Sequence, residues 1–346
     1  MKAMILAAGV GSRLDPLTRN VPKPMVPIVN KPVIEHIIDK LKKHNFDEIM
    51  INLHYLGDVI QSHLDDGSQL GVKIHYSPED QLWGDAGSCK RVQDFFGQDT
   101  FLVLGGDDIS EINLTEVVEF HKARKSVATM ALTLVDDPSE YGIVLTNEDG
   151  RITKFLEKPK GQVVFSKTAN TGVYVFEPEV FDIIPEGRQF GFGNDVFPKL
   201  LVEGKPMYGI VTTEFWKDVG NLQIYRQTNF DALNGTVNLN VPGSISESGA
   251  RVGPGSTIDP SVQITPPVLI GSNVNIAANC TLMANTIIAD DCVIEADCTL
   301  SSTILWRGAR VRSGTLLERC TVGEHAEVQS NYGIFDGVVM NPTRRG

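Results

Sequence analysis

The chain has 346 residues, of which 42% are hydrophobic, and a net charge of −12. This acidic balance disfavours nucleic acid as a partner, because binding to a phosphate backbone needs a basic surface. No apolar run approaches the ~18 residues of a membrane span, and the N-terminal run is too short for a secretory signal, so a cytoplasmic location is expected. Five cysteines without a Cys-x-x-Cys spacing argue against both a disulfide framework and a zinc site.

A short apolar run at the N-terminus, Ala3–Ala8, predicts a buried parallel strand. It leads into a loop in which Gly9 and Gly11 allow a tight turn and bring backbone N–H groups close to an anion. The loop lacks the Gly-Lys-Ser/Thr of a P-loop. It also has Leu14 where the dinucleotide fingerprint needs its third glycine.

Two cations follow the strand. Arg13 offers a guanidinium fork suited to phosphate oxygens. Lys23 stands between Pro22 and Pro24, which restrict the backbone around it. An amide-lined loop with two anchored cations predicts a polyphosphate site.

Strand-like and helix-like segments alternate up to about residue 235, which predicts a doubly wound α/β sheet with ligands at the carboxyl ends of its strands. The predicted strands are Ile49–Leu53, Val72–Tyr76, Phe101–Leu104, Val127–Val135 and Asn170–Phe176. The predicted helices are Val33–His44, Ser88–Phe96, Leu114–Arg124 and Asn221–Leu233.

Acidic residues follow one of these strands and recur far along the chain. Asp107 and Asp108 come directly after Phe101–Leu104 and two glycines, and Asp218 lies between Trp216 and Gly220. A carboxylate at a strand end is costly unless it is paired or bound to a metal. Mg²⁺ in phosphoryl chemistry takes one or two such ligands. A metal-dependent glycosyltransferase could use the same acidic pair, but it would not require the glycine loop or Lys23.

A six-residue repeat begins near residue 251 and predicts a parallel β-helix with three hexads to a coil. Its apolar column is Val252, Ile258, Ile264, Ile270, Ile276, Leu282, Ile288, Ile294 and Leu300. The register slips near Trp306 and is expected to resume through Leu316, Val322, Val328 and Ile334. A second column of small or β-branched residues is Ser256, Val262, Val268, Val274, Cys280, Thr286, Cys292, Cys298 and Ile304. Cys280 and Cys298 are one coil apart and should stack as compact apolar filler.

The N-terminal loop together with Pro22–Pro27 resembles the N-terminal motif of the sugar-1-phosphate nucleotidylyltransferases. Ser12 and Asp15 depart from it, standing where members usually carry Thr and often Arg. The resemblance continues through Trp83–Ser88, although Asp85 replaces the usual Thr, and through the motifs Glu157-Lys158-Pro159 and Asn170-Thr171-Gly172.

The resemblance, which runs from Lys2 to about Tyr225, implies a doubly wound, Rossmann-like mixed sheet followed by a left-handed parallel β-helix. The expected domains are a nucleotidyltransferase domain over 1–235, a linker over 236–250 and a hexapeptide-repeat domain over 251–340.

The resemblance also implies roles for particular residues. The implied catalytic residues are Arg13, Lys23 and Asp107, and the implied ligands of Mg²⁺ are Asp107 and Asp218, with Asp108 as the rival ligand. The implied NTP-binding residues are Leu6, Ala8, Gly9, Gly11, Ser12, Arg13, Lys23 and Gly87, and either Glu79 or Gln81 reaches the base. The implied sugar-phosphate-binding residues are Gly142, Glu157, Lys158, Asn170 and Thr171.

The activity implied by the resemblance is synthesis of an NDP-sugar and pyrophosphate from an NTP and a sugar 1-phosphate. The proline-bracketed lysine segment and the hexad domain most resemble mannose-1-phosphate guanylyltransferases, with glucose-1-phosphate uridylyl- or thymidylyltransferases as the alternative. A catalytically silent paralogue that binds NDP-sugar and regulates a partner enzyme is the alternative from another class. A homo-oligomer formed through the β-helix is expected, without nucleic-acid or membrane partners.

Overall fold

A computed structural model describes residues 1–159 and 165–341. The chain divides into two compact units that do not follow its sequence order. The first contains Met1–Val10, Pro22–Pro24 and Ile34–Asp218, and the second contains Gly11–Val21, Met25–Val33 and the chain from Val219 onward. Within the described residues, no helix is long and apolar enough to cross a membrane.

The first unit is built on a nine-stranded mixed sheet, which confirms the predicted α/β class. Up to residue 218 the strands in chain order are β1 (Lys2–Leu6), β2 (Pro27–Ile28), β3 (Lys31–Pro32), β4 (Glu48–Leu53), β5 (Lys73–Pro78), β6 (Phe101–Gly105), β7 (Asp108–Ser110), β8 (Ala128–Leu134), β9 (Gly142–Thr146), β10 (Ile152–Glu157), β11 (Thr168–Phe176), β12 (Met207–Val211) and β13 (Trp216–Asp218). The sheet runs β10-β9-β11-β6-β1-β4-β5, with β8 beside β11 and β12 beside β8. Strand β1 lies parallel to both β4 and β6, whereas β11 is antiparallel to β6.

The central strands are apolar because they are buried, as a parallel sheet covered on both faces requires. Ala3, Met4 and Ile5 of β1 and Phe101–Val103 of β6 have no exposed surface. The helices are α1 (Val33–Lys43), α2 (Gly57–Leu64), α3 (Asp85–Arg91), α4 (Gln93–Phe96), α5 (Leu114–Arg124), α6 (Phe197–Val202) and α7 (Leu222–Leu233). The single helix predicted over Ser88–Phe96 is therefore wrong: it begins three residues earlier and is interrupted at Val92, whose φ and ψ of −114° and 21° are not helical.

In the second unit, an N-terminal hairpin and a late helix pack with the β-helix. Strands β2 and β3 form the hairpin, and the Val29 N–H donates to Asn229 Oδ1 of α7 at 2.8 Å. Asn30 Nδ2 donates to the carbonyl of Ile288 at 3.0 Å, and Trp306 Nε1 donates to the Tyr225 hydroxyl at 2.8 Å. These contacts explain why α7 belongs to the second unit. The domain limits expected from the sequence stay a prediction.

The C-terminal region is a left-handed parallel β-helix of short strands stacked in three sheets. Its strands are β14 (Ser244–Ile245), β15 (Arg251–Val252), β16 (Thr257–Ile258), β17 (Gln263–Ile264), β18 (Val268–Ile270), β19 (Asn275–Ile276), β20 (Thr281–Leu282), β21 (Thr286–Ile288), β22 (Val293–Ile294), β23 (Thr299–Ser301), β24 (Ile304–Leu305), β25 (Arg310–Val311), β26 (Leu316–Glu318), β27 (Thr321–Val322), β28 (Glu327–Val328), β29 (Gly333–Phe335) and β30 (Val338–Val339). The Thr281–Thr299 pairing stacks Cys298 one coil beyond Cys280, and all five cysteines are buried and free.

The predicted register of the later coils is wrong in two places. Leu317, not Leu316, pairs with Leu300 and is fully buried, while Leu316 is 37% exposed. Thr303, not Ile304, takes the small inward position, where its hydroxyl donates to the carbonyl of Leu317. The coils pair at a spacing of 18 residues up to Leu282–Leu300 and of 17 from Ile288–Leu305 onward, so the corner between Leu300 and Leu305 loses a residue and the register shifts earlier than predicted.

Burial of His121 generates a prediction about acid stability. The imidazole is 1% exposed, with Nδ1 2.9 Å from the Thr129 hydroxyl and Nε2 3.1 Å from Glu177 Oε1. Burial lowers the pKa of His121 and outweighs the opposing effect of Glu177. Below pH ~6.5 the unfolded chain therefore binds a proton that the folded chain resists.

The stability contributed by neutral His121 is expected to be complete above pH ~6.5 and to fall as pH drops through the lower folded pKa. Urea unfolding of the wild type and His121→Gln between pH 5 and 8 measures this contribution. The variant should lose less stability than the wild type between pH 6.5 and 5. Equal losses for the two proteins would contradict the assignment.

Candidate active site

The ends of two adjacent parallel strands, β1 and β6, form the floor of the site. Beyond the last paired residues, the Gly106 N–H donates to the Leu6 carbonyl at 2.9 Å. A Cβ at Gly106 would lie 2.8 Å from that carbonyl oxygen and 3.3 Å from Pro24 Cγ, so only glycine allows this approach. The contact places Asp107 next to the segment that carries Lys23.

A two-stranded ribbon brings the acidic residues together. Strand β13 pairs antiparallel with β7, and Asp218 lies directly opposite Asp108. One carboxylate oxygen from each of Asp107, Asp108 and Asp218 lies within 4.8 Å of the other two. Carboxylate oxygens are the hard donors that Mg²⁺ prefers, so these residues fit a magnesium ion, and Asp108 is part of the group rather than an excluded rival.

Lys23 lies among these acids. It occupies a 3₁₀ turn over Lys23–Met25 and is only 9% exposed. Its Nζ donates to Asp107 Oδ2 and, at 2.9 Å, to Asp218 Oδ1. Burial alone would lower the pKa of Lys23, but the two carboxylates outweigh it and raise the pKa above its ordinary value. Lys23 is therefore a positive charge that the carboxylates of Asp107 and Asp218 keep in place.

The acids next to Lys23 are not fully neutralised by it. Burial, together with the charges of Asp107 and Asp218, raises the pKa of Asp108 well above its usual range. Lys40 is the next cation and donates to the Ser110 hydroxyl at 2.6 Å. Burial lowers the pKa of Lys40 to about 8, against the opposing charges of Asp108 and Glu214. Three acids of the cluster therefore face two lysines, Lys23 and Lys40.

From Gly11 onward the glycine loop forms a compact turn that belongs to the second unit. Gly11 has φ 67° and precedes the 3₁₀ turn Ser12–Leu14, and its carbonyl accepts from the Thr18 hydroxyl at 3.0 Å. Ser12 and Arg13 are exposed on this turn. At the end of β1 in the first unit, Ala8 is buried and Gly9 is exposed.

Asp15, one of the two departures from the N-terminal family motif, forms an ion pair within its own loop. Its two carboxylate oxygens accept from Arg19 Nε at 2.7 Å and Nη2 at 2.8 Å. This pair, mostly through the hydrogen bond, lowers the pKa of Asp15.

The structure places Glu79 and Gln81, the two alternative contacts to the nucleobase, in different environments. Glu79 is 7% exposed, and its Oε1 accepts from Asn52 Nδ2 at 3.0 Å. Asn52 Oδ1 in turn accepts from the Ala7 N–H at 2.8 Å, so Glu79 supports the end of β1. Gln81 is exposed on the following loop.

Gly87 lies in helix α3, and its amide already has a partner. The Gly87 N–H donates to the Phe190 carbonyl at 3.0 Å. A Cβ at Gly87 would lie 3.1 Å from the Arg188 carbonyl oxygen, so the helix and the chain near residue 190 pack closely.

Two of the predicted sugar-binding residues are neighbours across a strand pair. Glu157 of β10 lies opposite Gly142 of β9, and a Cβ at Gly142 would lie 2.9 Å from Glu157 Oε2. Burial raises the pKa of Glu157, and the opposing charge of Lys158 does not cancel it. Lys158 is exposed, with φ 42°, and its N–H donates to the Tyr141 carbonyl at 3.1 Å.

The other two, Asn170 and Thr171, lie at an irregularity in β11, where the register shifts between Asn170 and Tyr174. Asn170 Nδ2 donates to the Tyr174 hydroxyl at 2.7 Å, and the Thr171 hydroxyl donates to the Ala131 carbonyl at 2.8 Å. At Gly172, with φ 79°, a Cβ would lie 3.5 Å from Asp108 Oδ2, so this motif borders the acidic cluster.

Sequence reasoning missed two parts of the site. Trp216 Nε1 donates to the Thr171 carbonyl at 3.0 Å, which ties the β11 motif to the strand that carries Asp218. Gly193 packs against the Glu157 carboxylate, where a Cβ would lie 2.7 Å from Cδ. The alternating glycines at 191 and 193 are the only signal that could have indicated this second contact.

Comparison with known proteins identifies the family of this chain. The model of the Nucleotidyl transferase family matches residues 2–235, and that of the GMPPB C-terminal domain matches residues 264–342. The chain belongs to the sugar-1-phosphate nucleotidylyltransferase family. The resemblance inferred from the N-terminal loop is thereby confirmed.

Curated relatives carry more than one substrate name. The chain is 41% identical over 257 residues to the UTP–glucose-1-phosphate uridylyltransferase of Synechocystis sp., covering 70% of this chain and 66% of that protein. It is 34% identical over 238 residues to the mannose-1-phosphate guanylyltransferase of Mycobacterium tuberculosis, covering 67% and 65%. The chain thus spans just under two thirds of the length of these relatives.

A solved structure shares the fold. A Bacillus anthracis protein described provisionally as a glucose-1-phosphate thymidylyltransferase, crystallised with sucrose, matches with a TM-score of 0.61 and 31% identity. The match covers 69% of this chain and 97% of that chain.

The pairing of Lys23 with two acids generates a prediction. Lys23→Met should destabilise the protein by about 3 kcal/mol, because removing one partner of a buried ion pair leaves the others uncompensated. Millimolar Mg²⁺ should restore more stability to the variant than to the wild type, because a divalent cation can neutralise the same carboxylates.

Urea unfolding with and without Mg²⁺ measures both effects, with Lys43→Met as the exposed control on α1. If Lys23→Met is as stable as the wild type without Mg²⁺, the Lys23 contacts contribute nothing to the free energy of unfolding.

Proposed function

We propose that this protein is a nucleotidylyltransferase that makes an NDP-sugar and pyrophosphate from an NTP and a sugar 1-phosphate. The observation that carries the proposal is the pairing of Lys23 with Asp107 and Asp218 at the carboxyl ends of β1 and β6. Ligands of open α/β sheets bind at this edge. Family membership supports the same reaction class.

The reaction needs positioning and charge stabilisation more than proton transfer. An oxygen of the sugar 1-phosphate attacks the α-phosphorus of the NTP in line, and pyrophosphate leaves. Because the attacking phosphate is already an anion, no general base is required. Catalysis then comes from orientation and from fixed cations.

Three cations have proposed roles in the reaction. Arg13 neutralises the departing pyrophosphate, Lys23 stabilises charge at the α-phosphate, and Lys158 aligns the attacking phosphate. Glu157 accepts hydrogen bonds from sugar hydroxyls beside Gly142. On the nucleotide side, Gly9 and Gly87 contact the NTP in this proposal.

Asp107 and Asp218, with Asp108 beside them, are the residues that would hold a magnesium ion. When bound, the ion supplies further positive charge for the phosphate oxygens.

GDP-mannose is the proposed product, supported by the match of the C-terminal region to the GMPPB C-terminal domain. UDP-glucose is the second candidate, because the Synechocystis relative at 41% identity carries that substrate name. A cytoplasmic location and self-association through the β-helix stay predictions from the sequence.

Pyrophosphate release identifies the substrates. The pure protein with Mg²⁺ should release pyrophosphate with one pair drawn from the common NTPs and mannose-, glucose- or N-acetylglucosamine 1-phosphate, and the proposal expects GTP with mannose 1-phosphate. Asp107→Asn is the low-activity control. Preference for UTP with glucose 1-phosphate would favour the second candidate. No release with any pair, while an NDP-sugar still binds, would instead favour a silent regulatory protein.

The role of Arg13 has its own test. Arg13→Ala should lower kcat on the order of 100-fold, because it removes a cation that stabilises charge developing in the transition state. Arg13→Lys should recover part of the loss, since it keeps the charge without the fork. Arg19→Ala, on the next turn of the same loop, is the matched control and should keep near-normal turnover. Near-normal turnover in Arg13→Ala would remove Arg13 from the mechanism.

A further inference from the structure

Two segments distant in sequence are joined backbone to backbone beside the candidate site. The Phe190 N–H donates to the Trp83 carbonyl at 2.9 Å, and the Gly87 N–H donates to the Phe190 carbonyl at 3.0 Å. A Cβ at Gly84 would lie 2.9 Å from the Phe190 carbonyl carbon, so the approach depends on glycine. The start of α3, on the nucleotide side, is thus in direct contact with the chain around residue 190.

Asp85 adds a side-chain link at the same place. Its Oδ1 accepts from the Phe192 N–H at 2.7 Å and from the Ala86 N–H at 2.8 Å. Asp195 makes a similar bond, with Oδ2 accepting from the Gly191 N–H at 2.8 Å. Bonds from amides to a carboxylate are stronger than those between neutral groups. Asp85 is one of the positions at which this chain departs from its family motif.

The segment held by Asp85 reaches the sugar side of the site one residue later. A Cβ at Gly193 would collide with Glu157 Oε2 and lie 2.7 Å from its Cδ, while Gly142 borders the same oxygen from the other strand. The Glu157 carboxylate therefore lies between two glycines, and its orientation depends on where the backbone at Gly193 is held. Phe192–Val196 forms a π-helix, a rare geometry that is frequent at functional sites.

We propose that Asp85 is a positioning residue for sugar recognition: by holding the Phe192 amide it fixes Gly193 against Glu157 and so orients the carboxylate that accepts from the sugar hydroxyls. The inference rests on the proposed function for the role of Glu157. In this proposal Asp85, at the start of helix α3 on the nucleotide side, affects binding of the sugar. The Thr that is usual at this position would place its hydroxyl oxygen one bond closer to the backbone than the Asp85 carboxylate oxygens. That hydroxyl would also carry no charge.

Steady-state kinetics test the inference by comparing the change in KM for the sugar 1-phosphate with the change in KM for the NTP. Asp85→Ala should raise KM for the sugar 1-phosphate about tenfold while changing KM for the NTP less than twofold. Asp85→Asn keeps an acceptor oxygen in the same place and should recover most of the loss. Gly193→Ala should reproduce the effect from the other end. The double variant should be little worse than either single one, because both act through the same contact.

Gly333→Ala, in the β-helix, is the control for the glycine substitution, since its methyl would make only an ordinary contact at 3.6 Å with the Phe335 ring. It should keep wild-type KM values. An unchanged sugar KM in folded Asp85→Ala, or an equal rise in both KM values, would overturn the inference.

Hydrogen exchange of the full chain separates this inference from the proposed function. Asp85→Ala should speed exchange at the Phe192 amide, and Asp85→Asn should speed it much less; unchanged protection in Asp85→Ala would overturn the proposed link.

If the wild type releases no pyrophosphate with any pair, the proposed function fails. Sugar recognition is then measured by calorimetry with GDP-mannose and UDP-glucose. Tenfold weaker binding by Asp85→Ala would support the inference, and equal binding, or none by the wild type, would overturn it.

Discussion

The site depends on one electrostatic constraint, the placement of one oxygen from each of three carboxylates within 4.8 Å of the other two, beside the buried Lys23. Lys23 has its pKa raised by Asp107 and Asp218 despite its burial, while the pKa of Asp108 is raised by burial and by its acidic neighbours. Burial and acidic neighbours both disfavour the charged form of Asp108. The fold supplies this constraint through the end of β6 and the ribbon of β7 with β13.

Glycines determine how closely the segments around the cluster can approach. Gly106 lets the end of β6 bond to the carbonyl of Leu6, and Gly172 brings the β11 motif to Asp108. Gly142 and Gly193 enclose Glu157 in the same way. In each case a Cβ would meet a carbonyl or carboxylate oxygen, or lie in ordinary contact with one. The glycines of the site are therefore packing positions as well as turns.

The β-helix shows how a local period can be right while its register drifts. Its inward column repeats every six residues as far as Leu300, and then one corner of each coil becomes a residue shorter. The parallel pairing survives because each coil needs only to match its neighbour. A constant spacing of 17 satisfies the ladder as well as 18 does. Leu317 and Thr303 then occupy the inward positions that a strict period assigns to their neighbours in sequence.

The sequence by itself determined the fold class and the β-helix, because strand alternation and a six-residue period are local patterns. The roles of the site residues stay predictions from the sequence. The α/β sheet follows from apolar runs such as Ala3–Ala8, and Asp107 and Asp108 were predicted from their position after a strand. Tertiary structure decided which groups meet. Lys23 pairs with Asp218 across 195 residues, and Asp85 with Phe192 across 107. It also placed Met25–Val33 in the same unit as α7 and the β-helix. Such contacts depend on strand order and on close backbone approaches, and no local pattern of side chains encodes either.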